Sequence, residues 1–117
     1  MGYFIMKPDP DEDFYVEWST YTDEPIAYGP KSEFQTEDPE RYKDDRFDRA
    51  DRIGTSSYLG EMKFGVESMW ICQQWEIPRK NLKSYVEETF EIEGFQHWEP
   101  QFAPIVEKYA TRLVFDD

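Results

Sequence analysis

The order of residues predicts an α+β domain: a small, mostly antiparallel sheet packed with two to four helices. Two patterns and the chain length carry that expectation. Residues 14–19 alternate, with Phe14, Val16 and Trp18 on one side and Tyr15 and Glu17 on the other, the period of a strand. Residues 79–90 place Leu82, Tyr85, Val86 and Phe90 at the spacing of one buried helix face. The chain has 117 residues, enough for one domain with one modest core, so residues 1–117 are read as a single acidic domain.

Tyr3-Phe4-Ile5-Met6 reads as a first strand, stopped at Lys7-Pro8. Residues 8–13 hold two prolines and several acids, a turn composition, so the first two strands are expected to form a hairpin. Thr22-Asp23-Glu24-Pro25 is a second turn, and Ile26-Ala27-Tyr28-Gly29 a short extended segment. Pro30 suits a helix first turn leading into Lys31-Ser32-Glu33-Phe34. Asp38 and Pro39 form a stronger start signal, and Gly54 a stop, for a charged and mostly exposed helix over 40–53. Its apolar stripe is thin, with Tyr42, Arg46, Arg49, Ala50 and Ile53 near one face. Residues 54–60 are a loop by composition, and the apolar stretch 67–76 reads as one central strand. The helix over 79–90 follows. The last helix starts near Pro100, with Phe102, Ile105, Val106, Tyr109 and Leu113 on one face and Pro104 tolerated only in the first turn. The expected order is therefore strand, strand, helix, strand, helix, helix, with the helices on one face of the sheet.

Charge narrows the class of function. The chain carries 26 acids against 13 bases, a net charge of −13, which weighs against direct nucleic-acid or anionic-membrane binding. Aromatic residues make up 18% of the chain, which weighs against a disordered acidic tail. No apolar run approaches the roughly 20 residues of a membrane span, and residues 1–13 lack an apolar stretch fit for a signal peptide. Cys72 is the single cysteine, so no internal disulfide forms and a cytoplasmic setting is expected. Cys72 sits in the apolar run 69–72, where a buried, inert thiol is the expectation.

No catalytic residue, metal ligand or cofactor is assigned from sequence. His97 is the single imidazole, and one histidine with one cysteine cannot complete a four-ligand zinc site. Asp9, Asp11 and Asp13 alternate like the start of a calcium loop, but Phe14 and Thr20 stand where that loop needs glycine and glutamate. No phosphate-cradling glycine loop or nucleophile elbow is present.

Acids and rings are the remaining signals. Residues 1–30 carry seven acids and one base, while residues 31–60 carry eight acids and six bases. Asp44, Asp48 and Asp51 have the helical spacing that could imitate DNA phosphates, but Arg41, Lys43, Arg46, Arg49 and Arg52 interleave and offset them. A partner-binding acidic face is expected instead at Asp9, Asp11, Glu12, Asp13, Glu17, Asp23 and Glu24, grouped at one end of the hairpin. The chain's 21 rings exceed what one small core hides, so Tyr15, Tyr21 and Tyr28 on outer faces, and Trp98 in a loop, are expected to join them. Tyr58 falls in the same exposed class.

Three blocks of sequence carry a resemblance. They are residues 14–19 followed by Glu24-Pro25 and Tyr28-Gly29, residues 49–56, and residues 70–74 followed by residues 79–82. In this order they resemble a group of small uncharacterised proteins of actinobacterial phages. The resemblance implies an accessory protein that binds and alters a host protein in the host cytoplasm, and it brings no catalytic residue or cofactor. The leading expectation is a non-enzymatic module that modulates or inhibits a basic, nucleic-acid-handling or defence protein. The alternatives are a virion or scaffold component forming homo-oligomers and a DNA mimic.

Overall fold

The structure, a computed structural model, describes residues 2–71, 75–91 and 103–113. Strands β1 (Tyr3–Met6), β2 (Tyr15–Ser19) and β3 (Glu24–Gly29) form an antiparallel sheet in the order β1-β2-β3. The expected hairpin is present, with Phe4 opposite Trp18 and Met6 opposite Val16. β3 extends the short segment expected over 26–29. Between Glu17 and Trp18 its register shifts, so Ile26 is the extra residue. Pro25 is accommodated because β3 is an edge strand and needs no further donor. The free edge of β1 is covered by residues 54–56: Lys7 N donates to Gly54 O at 2.9 Å and Ser56 N to Ile5 O at 2.8 Å.

Helices α1 (Lys31–Glu37) and α2 (Asp44–Ile53) follow, and Gly54 closes α2 in the left-handed conformation at φ 96°. The single helix expected over 40–53 is shorter than predicted. Asp38 does cap, accepting from Arg41 N at 3.1 Å, but it caps one turn between the two helices. The apolar stretch 67–76 is two strands, β4 (Ser68–Ile71) and β5 (Trp75–Pro78), paired antiparallel. The pairing brings Ile71 opposite Trp75, so an apolar run of that length holds a hairpin as readily as one strand. With β6 (Thr111–Arg112), which sequence missed, they form a second sheet, β4-β5-β6. α3 (Arg79–Phe90) spans the predicted residues, and α4 (Ala103–Tyr109) carries Pro104 in its first turn, where a missing N–H costs nothing.

The fold class is α+β, as expected, but with two small sheets and with helices on both faces of the first. Phe4, Met6, Val16 and Trp18 point into the larger core with Met69, Ile71, Ile77, Leu82, Tyr85 and Val86. Ile5 and Tyr15 point the other way, into a second core of Phe34, Tyr42, Phe47 and Ala50 contributed by α1, α2 and the turn between them. All five residues of β2 are consequently buried. Among the described residues no helix is long and apolar enough to cross a membrane.

Candidate functional site

The strand that carries Glu17 separates the acids expected to act together. Asp9, Asp11, Glu12 and Asp13 lie in the turn before β2, and Asp23 and Glu24 follow it. Five strand residues at about 3.4 Å each put roughly 15 Å between these groups, so they sit at opposite ends of the sheet, not at one end. The first group is engaged locally. Asp9 Oδ1 accepts from Asp11 N at 2.8 Å, and Asp13 Oδ1 accepts from Lys31 N at 3.2 Å at the start of α1. Glu12 Oε2 pairs with Lys83 Nζ of α3 at 2.7 Å, and that hydrogen bond raises the lysine pKa. Asp11 keeps an exposed side chain.

Glu17 and Tyr15 are corrections. Both were expected on an outer face, and both are buried, because α1 and α2 cover that face. Glu17 Oε2 accepts from Arg41 Nη2 and Arg46 Nη2, each at 3.1 Å, and Oε1 accepts from the Tyr42 hydroxyl at 2.7 Å. Burial first, then the hydrogen bond to Glu17, pushes the Tyr42 hydroxyl up to about 12. Tyr15 donates its hydroxyl to Asp51 Oδ1, which Lys7 Nζ also meets at 2.8 Å. Burial and that carboxylate raise the Tyr15 pKa. Neither residue can touch a partner. Two of the arginines expected to offset the acids of the 40–53 segment are thus turned inward to Glu17. Tyr28 is partly exposed, its ring packed on Phe14 and Phe90. Trp98, His97 and Cys72 lie outside the described residues.

Tyr21 and Asp23 belong to a different surface, at the far end of β2. Of the six large apolar side chains exposed among the described residues, five border it: Tyr3, Tyr21, Tyr58, Leu59 and Trp70. They surround two open concavities that meet at Thr20 and Glu61. The larger, about 940 Å³, lies between Tyr3, Phe4, Tyr58, Leu59 and the arginines of α2. The smaller, about 550 Å³, is walled by Trp18, Tyr21, Met69 and Trp70 and carries Asp23 and Glu61.

The loop bearing Tyr58, Leu59 and Glu61 is anchored at both ends. Phe64 N donates to Ile53 O at 2.7 Å, and a side chain at Gly54 would sit 2.7 Å from that same nitrogen, so the close approach requires glycine. Arg79 donates to the carbonyls of Val66, Lys7, Pro8, Met62 and Lys63, clamping the loop to the first hairpin. Burial pulls the Arg79 pKa down, yet arginine stays charged. The Arg49 guanidinium lies 4.5 Å from the centre of the Tyr58 ring, which holds that ring in place although it is 89% exposed.

No protein-family model, no curated protein and no solved structure matches the chain. The site therefore rests on its own geometry. Asp23 has a left-handed backbone, φ 57°, and its Oδ1 accepts from the Trp18 indole N–H at 3.1 Å, fixing the carboxylate. Burial pushes the Glu61 carboxyl up and the Asp23 charge adds to this, with the positive chain terminus opposing both. Among the described residues no three metal-ligating side chains converge. Rings and half-buried carboxylates, with the arginines of α2 along the larger concavity, are what this surface offers.

The sequence pointed to the exposure of Tyr21 and Tyr58, which the structure shows, and did not single out Tyr3, Leu59, Glu61 or Trp70, which border the same surface. For Trp70 the signal was readable. Met69 and Ile71 point inward, so the intervening residue of a strand points outward. Glu61 had none, since its place depends on how the 54–65 loop returns to the sheet.

Proposed function

We propose that this chain is a non-enzymatic acidic docking module that binds, and so modulates or inhibits, a protein with a basic surface. One observation carries the reading: five large exposed apolar side chains border a single surface on a chain of net charge −13. Tyrosine and tryptophan supply binding energy at interfaces because they bury large area at small entropic cost. The negative field would speed encounter with a basic partner and disfavour acidic ones. The resemblance to phage accessory proteins favours a host protein as partner and the host cytoplasm as the setting. Self-assembly is the weaker reading, because copies of so acidic a chain repel one another.

The test is to isolate a partner with the purified chain, identify it, and measure binding of the purified pair. A basic partner, an on-rate that falls with added salt, and faster dissociation of Trp70→Ala are the expected results. No partner, together with elution of the chain as a homo-oligomer, would favour the assembly role instead. If the partner binds nucleic acid and DNA displaces it from the chain, the interaction is DNA mimicry.

A further inference from the structure

Six lysines and arginines among the described residues are partly buried, and five of them meet an oxygen. Lys7 pairs with Asp51, Lys31 with Asp44, Arg46 with Glu17 and Lys83 with Glu12, and Arg79 donates to backbone carbonyls. Arg49 is the exception. Its guanidinium lies on the Tyr58 ring, yet it has no hydrogen bond or ion pair among the described residues, and its Nε is buried without a protein acceptor. Carboxylates are not scarce here, since acids outnumber bases twofold. Asp45 stands one helical turn before Arg49, and Asp48 one turn before Arg52, at the spacing ion pairs use, but neither pair closes. A buried donor left without an acceptor is costly, and most such donors in native folds have one.

Arg49 lines the larger concavity, beside Arg46, Arg52, Tyr3, Tyr58 and Leu59. A volume of about 940 Å³ is that of a small-molecule site. The Ser56 and Ser57 hydroxyls lie on the same wall. Each accepts from a backbone N–H, of Ile5 and of Leu59, and keeps its own proton to donate. The Tyr58 ring occupies a face of the Arg49 guanidinium, whereas the donors of that group radiate from its edge, in the geometry that grips an oxyanion with two parallel bonds. Tyr58 has no hydrogen bond among the described residues, so its ring can shift as a ligand enters.

We propose that this concavity binds a small aromatic molecule carrying one oxyanion, a carboxylate or a phosphate. The oxyanion takes the Nε and Nη edge of Arg49 with Arg52 beside it, and the ring lies against Tyr58 and Leu59. Asp45, Asp48 and Glu61 border the same space and temper the attraction, so the direct bonds to Arg49 set the affinity. The inference is independent of docking, because a chain without a protein partner would still hold such a ligand.

The experiment is a titration of the whole chain, followed through the Arg49 Nε–H and Tyr58 ring resonances. The probes are indole-3-acetate and adenosine monophosphate, with indole-3-acetamide and adenosine as their neutral counterparts. At least one anionic probe is expected to give saturable shifts with a Kd of roughly 0.1–1 mM, and its neutral counterpart to bind about tenfold more weakly. Tighter binding of the first probe would identify a carboxylate as the preferred oxyanion, and of the second a phosphate. Arg49→Lys keeps the charge and loses the planar fork, so it should remove the preference for the anion, read by calorimetry. Should that variant fail to fold, Arg52→Gln, at an exposed position, should weaken anion binding several-fold. Equal binding of charged and neutral probes, no shift with any probe, or undiminished anion binding by Arg49→Lys would overturn the inference. A chain that binds a basic protein in that event keeps the docking reading and loses only the anion site.

Discussion

The two faces of the first sheet are buried by different chemistry. On one face Phe4, Met6, Val16 and Trp18 pack into an apolar cluster, and Trp18 adds an indole bond to Asp23. On the other, Ile5 and Tyr15 share the layer under α1 and α2 with a fully buried carboxylate, Glu17, held by two arginines and a tyrosine. The apolar face needs shape alone. The second face also needs the turn at residues 38–42 and the first turns of α2 in one orientation, because only that orientation completes the set of bonds on Glu17. A buried ion pair is weak evidence for net stability and expensive to break from one side, so the two faces should respond differently to substitution.

The largest effect is expected from Arg41→Ala with Arg46→Ala. It strands the Glu17 charge and should cost about 3–5 kcal/mol, read by urea unfolding. Phe47→Ala, in the same layer, should cost a similar 3–5 kcal/mol by emptying a ring-sized space. Glu17→Gln should cost less, about 1–2 kcal/mol, because the amide still accepts from Tyr42 and the arginines are exposed enough to hydrate. If stranding the carboxylate costs no more than Glu17→Gln, the ionic layer is not the constraint described here. On the apolar face Ile77→Val should cost only about 1 kcal/mol and leave the pH response unchanged.

The pH response separates the faces further. Tyr42 has its folded pKa raised from the ordinary value of about 10 to about 12, so the stability it contributes is fully present below about pH 10 and lost as pH climbs towards 12. Tyr15 acts in the same direction. Tyr42→Phe should flatten this alkaline slope, whereas an unchanged slope would remove Tyr42 as its source. Asp51, despite some burial, is held below the usual carboxylate range by its hydrogen bonds from Lys7 and Tyr15. Its contribution is present above about pH 4 and lost as pH falls through the lowered value, and Asp51→Asn should flatten that limb. The smallest effect on stability belongs to the surface proposed to dock a partner. Tyr58→Ala should change unfolding by no more than about 0.5 kcal/mol while weakening partner binding.

The same comparison shows what was legible in the sequence. The alternation of residues 14–19 separated the inward set Phe14, Val16 and Trp18 from Tyr15 and Glu17 correctly. What it could not supply was the covering of the second side. A tyrosine and a glutamate on a strand read as a solvated face, and only α1 and α2, brought back by the chain, bury them. Phe47 shows the other half of that blind spot. Among five charged neighbours it looks like part of a polar helix, yet it is the centre of the second core. The helix over 79–90 was legible because its apolar stripe meets a single core. The aromatic-bordered surface was legible only in pieces, since it gathers residues from β1, the turn after β2, the 54–65 loop and β4. Contacts of that sequence separation leave no local pattern.

The most direct measurement compares the wild-type chain with a Tyr58→Ala, Trp70→Ala variant as bait for a host protein, at low and high salt, with bound proteins identified by mass. A basic protein held by the wild type at low salt, released at high salt and not held by the variant is the expected result. The same protein held equally well by the variant would contradict docking through the aromatic surface, and the capture of no protein by either bait would contradict the docking role altogether.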